Sequence, residues 1–74
     1  MISGAVAANN IKALKEANIP FIELSNMLHI VVADGTVAYY CGFNKWQHRG
    51  RNHMGDVATF IAWVRKKNPV HRVA

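Results

Sequence analysis

The residues with the most chemistry in them are crowded into one stretch, Tyr39-Tyr40-Cys41-Gly42-Phe43-Asn44-Lys45-Trp46-Gln47-His48-Arg49-Gly50-Arg51-Asn52-His53. Four aromatic rings, three fixed positive charges and two imidazoles fall within it, and no acidic side chain interrupts them. Rings offer stacking surfaces and the cations offer donors suited to phosphate, so Tyr40, Lys45, Trp46, His48, Arg49, Arg51 and His53 form the expected ligand-binding set. Stacking of one base on an aromatic side chain contributes about 1 to 3 kcal/mol, and each neutralised phosphate adds a salt-sensitive increment. The expected ligand is therefore a nucleic acid or a small signalling nucleotide, bound without catalysis and without a cofactor. In the competing account Phe43 and Trp46 are core residues under the loop, and only a solvated basic surface remains.

Catalytic sets are thinner. His29 with Tyr40 would suit acid and base work, because an imidazole titrates near neutral pH and a phenol can orient it or a phosphate. One histidine without a second acid, base or metal is little to build an enzyme on, and a cross-strand His and Tyr also pair for purely structural reasons. Cys41, His48 and His53 match no zinc-ligand spacing, so no metal site is expected. A Cys41 thiol on the core side of a strand would also be a poor nucleophile.

With 74 residues the chain is expected to form one domain spanning residues 1–74, and at this size only about 60% of the unfolded surface becomes buried. Such a chain gains from a homo-oligomer, and a nucleotide pocket would then sit most naturally at a subunit interface. A single cysteine excludes an internal disulfide. Without a secretory signal or a membrane-spanning apolar run, a reducing cytoplasm is the expected compartment and no membrane partner is expected. Charge is uneven. Residues 1–44 carry Lys12 and Lys15 against Glu16, Glu23 and Asp34, a net of −1. Residues 45–74 carry seven Lys or Arg against Asp56, a net of +6. An anionic partner would meet the second half, although Arg65-Lys66-Lys67 also sits where cations offset a helix dipole.

The elements that must position this stretch can be read in order. Gly4 to Ala17 favours a helix, with Ala7, Ile11, Leu14 and Ala17 or Asn18 in one apolar stripe. Asn18 suits a left-handed cap, Ile19 the apolar contact that goes with it, and Pro20 stops the helix. Phe21 to Leu24 reads as a short strand followed by a Ser25-Asn26 turn. Asp34-Gly35 between two apolar runs predicts a hairpin with those two residues as its loop. That register sets Val32 opposite Val37, Ile30 opposite Tyr39 and His29 opposite Tyr40. Leu28, Ile30, Val32, Val37, Tyr39 and Cys41 then share the core face, and His29, Val31, Ala33, Thr36, Ala38 and Tyr40 the outer one. The charged stretch is expected to leave this hairpin as a loop. A second helix runs from Asp56 to Lys67 with Val57, Phe60, Ile61 and Val64 as its stripe and Trp63 at the edge, and Asn68-Pro69 ends it before a tail of residues 70–74. The expected architecture is α+β: a single αβββα domain, with a three-stranded antiparallel sheet and both helices packed on one face.

Two resemblances rest on these residues. The helix end Leu14-Lys15-Glu16-Ala17-Asn18-Ile19-Pro20, the strand Leu28-His29-Ile30-Val31-Val32, then Tyr39-Tyr40, Lys45-Trp46 and Arg49-Gly50-Arg51, resemble small accessory proteins of tailed bacteriophages. That resemblance implies a bacterial host cytoplasm and counter-defence or host-takeover work. Docking on a host protein as an inhibitor is the alternative it adds. The element order is also similar to HicA-type toxins, mRNA endonucleases with a double-stranded-RNA-binding-like fold. In that family the catalytic histidine opens the second strand behind a glycine and a serine. The resemblance implies that role for His29, with Met27-Leu28 in place of the small residues.

Overall fold

A computed structural model describes residues 4–67, so the expected Asn68-Pro69 helix stop and the 70–74 tail lie outside the described residues. The first helix, α1, spans Ala5–Glu16. It ends as its sequence demands: Asn18 is left-handed (φ 58°), its N–H donates to Lys15 O at 3.1 Å, and the Ile19 N–H donates to Leu14 O at 3.0 Å. Both otherwise orphaned carbonyls are satisfied, and Ile19 folds back into the core as the apolar partner of that cap. The buried stripe differs from expectation at both the Ile11 and the Ala17 or Asn18 positions, since Ala17 is half-buried and Asn18 exposed. Ala7, Asn10 and Leu14 are buried, whereas Ile11 is half-buried.

Five strands follow: β1 (Ile22–Glu23), β2 (Leu28–Val32), β3 (Gly35–Tyr40), β4 (Lys45–His48) and β5 (Arg51–Met54), before helix α2 (Val57–Lys67). They form one antiparallel meander in the order β1-β2-β3-β4-β5, so the α+β class holds and the expected three-stranded sheet is corrected to five. The additional strands come from the charged stretch. Lys45 to His48 and Arg51 to Met54 pair as a hairpin around Arg49-Gly50, with Trp46 opposite His53 and His48 opposite Arg51. Arg49 (φ 53°) and Gly50 (φ 79°) both have positive φ, as a two-residue primed hairpin turn requires.

The β2–β3 hairpin also differs from expectation. Its turn residues are Ala33 and Asp34, and Val32 pairs with Gly35, Ile30 with Val37 and Leu28 with Tyr39. Neither Ala33 nor Asp34 has a positive φ. That conformation falls on Gly35 (φ 137°), so the glycine relieves the strand just after the turn instead of forming its second corner. Moving the turn by one residue shifts every partner by two, and a shift of two keeps each side chain on its face. The expected faces therefore stand, but His29 lies opposite Ala38 and Ile22, not opposite Tyr40.

One sheet face is the core. Leu28, Tyr39, Trp46 and His53 form one cross-strand row, and Ile30, Val37, His48 and Arg51 the next. Both helices supply side chains to that face: Ala7 and Leu14 from α1, Phe60 and Val64 from α2. Phe60 is fully buried and stacks on Tyr39, with ring centroids 4.0 Å apart and planes 7° from parallel. Burying such a ring contributes about 1.5 to 3 kcal/mol. Ile22 or Phe21 is expected to reach the core from the first strand, but Ile22 is exposed and Phe21 half-buried; Ile61 is half-buried too, and Trp46 joins the buried set at 2% exposure. α2 begins on Asp56, whose Oδ1 accepts from the Thr59 N–H and hydroxyl at 2.9 Å each.

Candidate functional site

The core face of the sheet does not end under the helices. At its β4–β5 end the inward side chains cease to be aliphatic and become Trp46, His48, Arg51 and His53. α2 lies against them through Trp63, whose ring centroid is 5.2 Å from that of His48, 5.6 Å from that of His53 and 5.7 Å from that of Trp46. His53 stacks on Trp46 at 5.6 Å with planes 11° apart. One turn of helix beyond Trp63, Lys67 places its ammonium 5.4 Å from the indole centroid.

Around this edge runs an open groove of about 480 Å³, lined by Asp34, His48, Arg49, Arg51, His53, Trp63 and Lys67. Three of its walls come from different parts of the chain: the β2–β3 turn, the β4–β5 hairpin and the last turn of α2. Asp34 is the one carboxylate among those seven side chains. Its Oδ1 lies 3.2 Å from His48 Nε2, and its Oδ2 lies 3.2 Å from Lys67 Nζ and 3.8 Å from Arg49. Desolvation at the turn opposes ionisation of Asp34. The hydrogen bond from Lys67, the charge of Lys67 and that of His48 outweigh it, and the carboxyl is held below its ordinary value. His48 is buried, and its Nε2 has contact but no aligned hydrogen bond with Asp34.

The sequence-derived binding residues divide sharply. His48, Arg49, Arg51 and His53 converge on the groove. Trp46 is the floor beneath His53 and is too deeply buried to stack on a ligand. Tyr40 and Lys45 lie on the opposite face of the sheet, where they pair directly across strands and the Lys45 ammonium sits 5.4 Å from the Tyr40 ring. His29 shares that outer face, so the expected His29 and Tyr40 pair does not form and His29 is remote in register from the groove histidines. Cys41 is buried and its thiol is pushed up by desolvation. No group of three metal-ligating side chains occurs among the described residues.

Three groove residues were not read from sequence. Asp34 reads as a turn former, Lys67 as a cation offsetting the helix dipole, and Trp63 as the edge of a stripe. The available signal was the spacing of Trp63 and Lys67, four residues apart and so on one side of α2.

Asn10 supports the arrangement from below. It is 6% exposed, and its Nδ2 donates to Cys41 O at 2.7 Å and to Asn44 Oδ1 at 2.9 Å. The Asn44 carbonyl in turn accepts from the Gly55 N–H at 3.0 Å. The entry to β4 and the exit from β5 are thus tied to α1 through one buried amide.

Comparison with models of known families, with curated proteins and with solved structures returned no match.

Proposed function

We propose that this protein binds a phosphate-bearing ligand, a nucleic acid or a small nucleotide, in the groove between the β4–β5 hairpin and α2, without catalysing its conversion. The observation that carries this reading is the convergence of Arg49, Arg51 and Lys67 with His48 and His53 around one concavity. Separate chain segments supply these cations to a common space, so their fields add where an anion would sit. Guanidinium groups match phosphate oxygens in a planar fork, and the Trp63 and His53 rings, 46° apart in plane, stand beside them as separate aromatic surfaces. A volume of about 480 Å³ is of the order that holds a small ligand. The resemblance to phage accessory proteins suggests the setting, counter-defence or host takeover in a bacterial cytoplasm.

Calorimetric titration with oligonucleotides and with cyclic and linear nucleotides tests this, comparing wild type with the Arg49→Ala, Arg51→Ala double variant. Hydrogen bonds to charged groups contribute about 1.5 to 3 kcal/mol each, so loss of both should weaken binding more than tenfold. A strand would lose affinity steeply with salt, and a single nucleotide much less. Equal, weak binding by both proteins to every ligand would remove the reading.

A second reading, docking on a host protein, draws on the other side of the sheet. Ile22, Val31, Phe43 and Met54 are each more than 60% exposed, and Met54 pairs with Lys45 across β4 and β5. Capture of a partner from nuclease-treated host lysate, lost on Val31→Asp, would favour it.

A further inference from the structure

We infer that the groove selects a terminal phosphate, the dianionic monoester of a nucleotide or of a nucleic-acid end, over the monoanionic diester inside a strand. This rests on the reading of the groove as a phosphate site and names the kind of phosphate it takes. The argument begins with Asp34. Its carboxylate is already the counter-ion of the site, with Lys67 Nζ at 3.2 Å, Arg49 at 3.8 Å and His48 Nε2 at 3.2 Å. An incoming anion must therefore compete with a resident negative charge for the same donors.

The charge balance decides which anions can do so. Arg49, Arg51 and Lys67 against Asp34 leave a net of +2 before any charge on His48 or His53 is counted. A phosphomonoester near neutral pH carries about −1.5 to −2 and matches that excess, whereas a diester carries one charge, no more than Asp34 itself. A monoester also presents three terminal oxygens to donors arriving from three directions, while a diester has two and must thread a chain through on both sides. The Asp34–Lys67 contact at 3.2 Å joins the β2–β3 turn to α2 along one side of the groove, which favours an end over a running strand. The aromatic surfaces of Trp63 and His53 at the groove favour a nucleotide over a phosphorylated side chain, because a base brings a flat face that can stack on one such ring.

The experiment compares one oligonucleotide bearing either a 5′-phosphate or a 5′-hydroxyl, a nucleoside monophosphate, inorganic phosphate and a phosphoserine peptide, by calorimetry on the wild-type chain and on Asp34→Asn. Wild type should bind the phosphorylated end at least about tenfold more tightly than the hydroxyl end, the scale set by one additional screened charge at contact distance. Asp34→Asn should tighten binding of both oligonucleotides, and of the phosphorylated end at least as much as the hydroxyl end, because the repulsion removed scales with the charge of the ligand. The nucleoside monophosphate arm separates a free nucleotide from a strand end as the source. Equal binding of the two oligonucleotides by wild type overturns the inference while leaving a phosphate site in place, and this arm requires no variant to fold. Absence of binding to every probe overturns both. Peptide binding as tight as that of the phosphorylated strand overturns the assignment to nucleotides.

Discussion

His48 and Asp34 meet across the β2–β3 turn with Nε2 and Oδ1 3.2 Å apart, and that nitrogen is buried without an aligned hydrogen bond. Gly35 is called for by its backbone, with φ 137°, and not by space, since a Cβ there would meet the same nitrogen at 3.7 Å, an ordinary contact. Asp34 also meets Lys67, so it ties three elements together through one carboxylate. Replacing it with asparagine should lower the thermal midpoint, since Lys67, Arg49 and His48 then face one another without a counter-ion. Added inorganic phosphate should recover part of that loss by mass action, more than it stabilises wild type. A midpoint that does not respond to phosphate would show that the cations do not share a common anion position.

Asn10 to alanine should destabilise the domain by about 1 to 3 kcal/mol, because the buried Cys41 carbonyl loses its donor. For a domain of this size that corresponds to a fall of about 4 to 8 °C per kcal/mol. Thermal unfolding followed by circular dichroism checks it, and a change within about 0.5 kcal/mol, ordinary for a surface residue, would contradict the buried-anchor role.

Tyr39 to phenylalanine should cost nothing. The Tyr39 hydroxyl is buried with no hydrogen-bond partner among the described residues. Burial, reinforced by Cys41 and Asp56, pushes the phenol well above its ordinary value of 10.0. The ring's stacking on Phe60 survives the change, and removing an unpaired polar atom is neutral to stabilising. Denaturant titration showing a loss above about 1 kcal/mol would reveal a partner for that hydroxyl.

Acid should loosen the β2–β3 turn and the start of α2. The Thr59 backbone bond, then the Thr59 hydroxyl, hold Asp56 below its ordinary 3.8, and Asp34 is likewise held low. A carboxyl depressed in the folded state contributes stability that is complete above its unfolded pKa and disappears as pH falls through the folded one. Stability should therefore decline below about pH 4, and the decline should flatten in the Asp34→Asn, Asp56→Asn double variant. An unchanged slope in that variant would place the acid sensitivity elsewhere.

Local chemistry sufficed for much of the frame. Asn18, Ile19 and Pro20 fixed the end of α1 because a left-handed residue followed by an apolar one satisfies the last carbonyls wherever the helix lies. Alternation in Leu28 to Val32 and Val37 to Cys41 decided the two sheet faces, and it survived a displaced turn because partner shifts of two preserve parity. Other features were decided by the tertiary structure. Lys45 to Met54 became two strands although its inward positions are Trp46, His48, Arg51 and His53, whose polarity hides the alternation; Trp63 of α2 packs against three of them and makes that side inward. Arg49-Gly50 was a readable hairpin turn, overshadowed by the stronger Asp34-Gly35 signal. The site itself depended on the fold. Asp34, the β4–β5 hairpin and Lys67 are separated along the chain; pairing of β3 with β4 brings His48 and Arg49 to Asp34, and the packing of α2 over the end of the sheet brings Lys67.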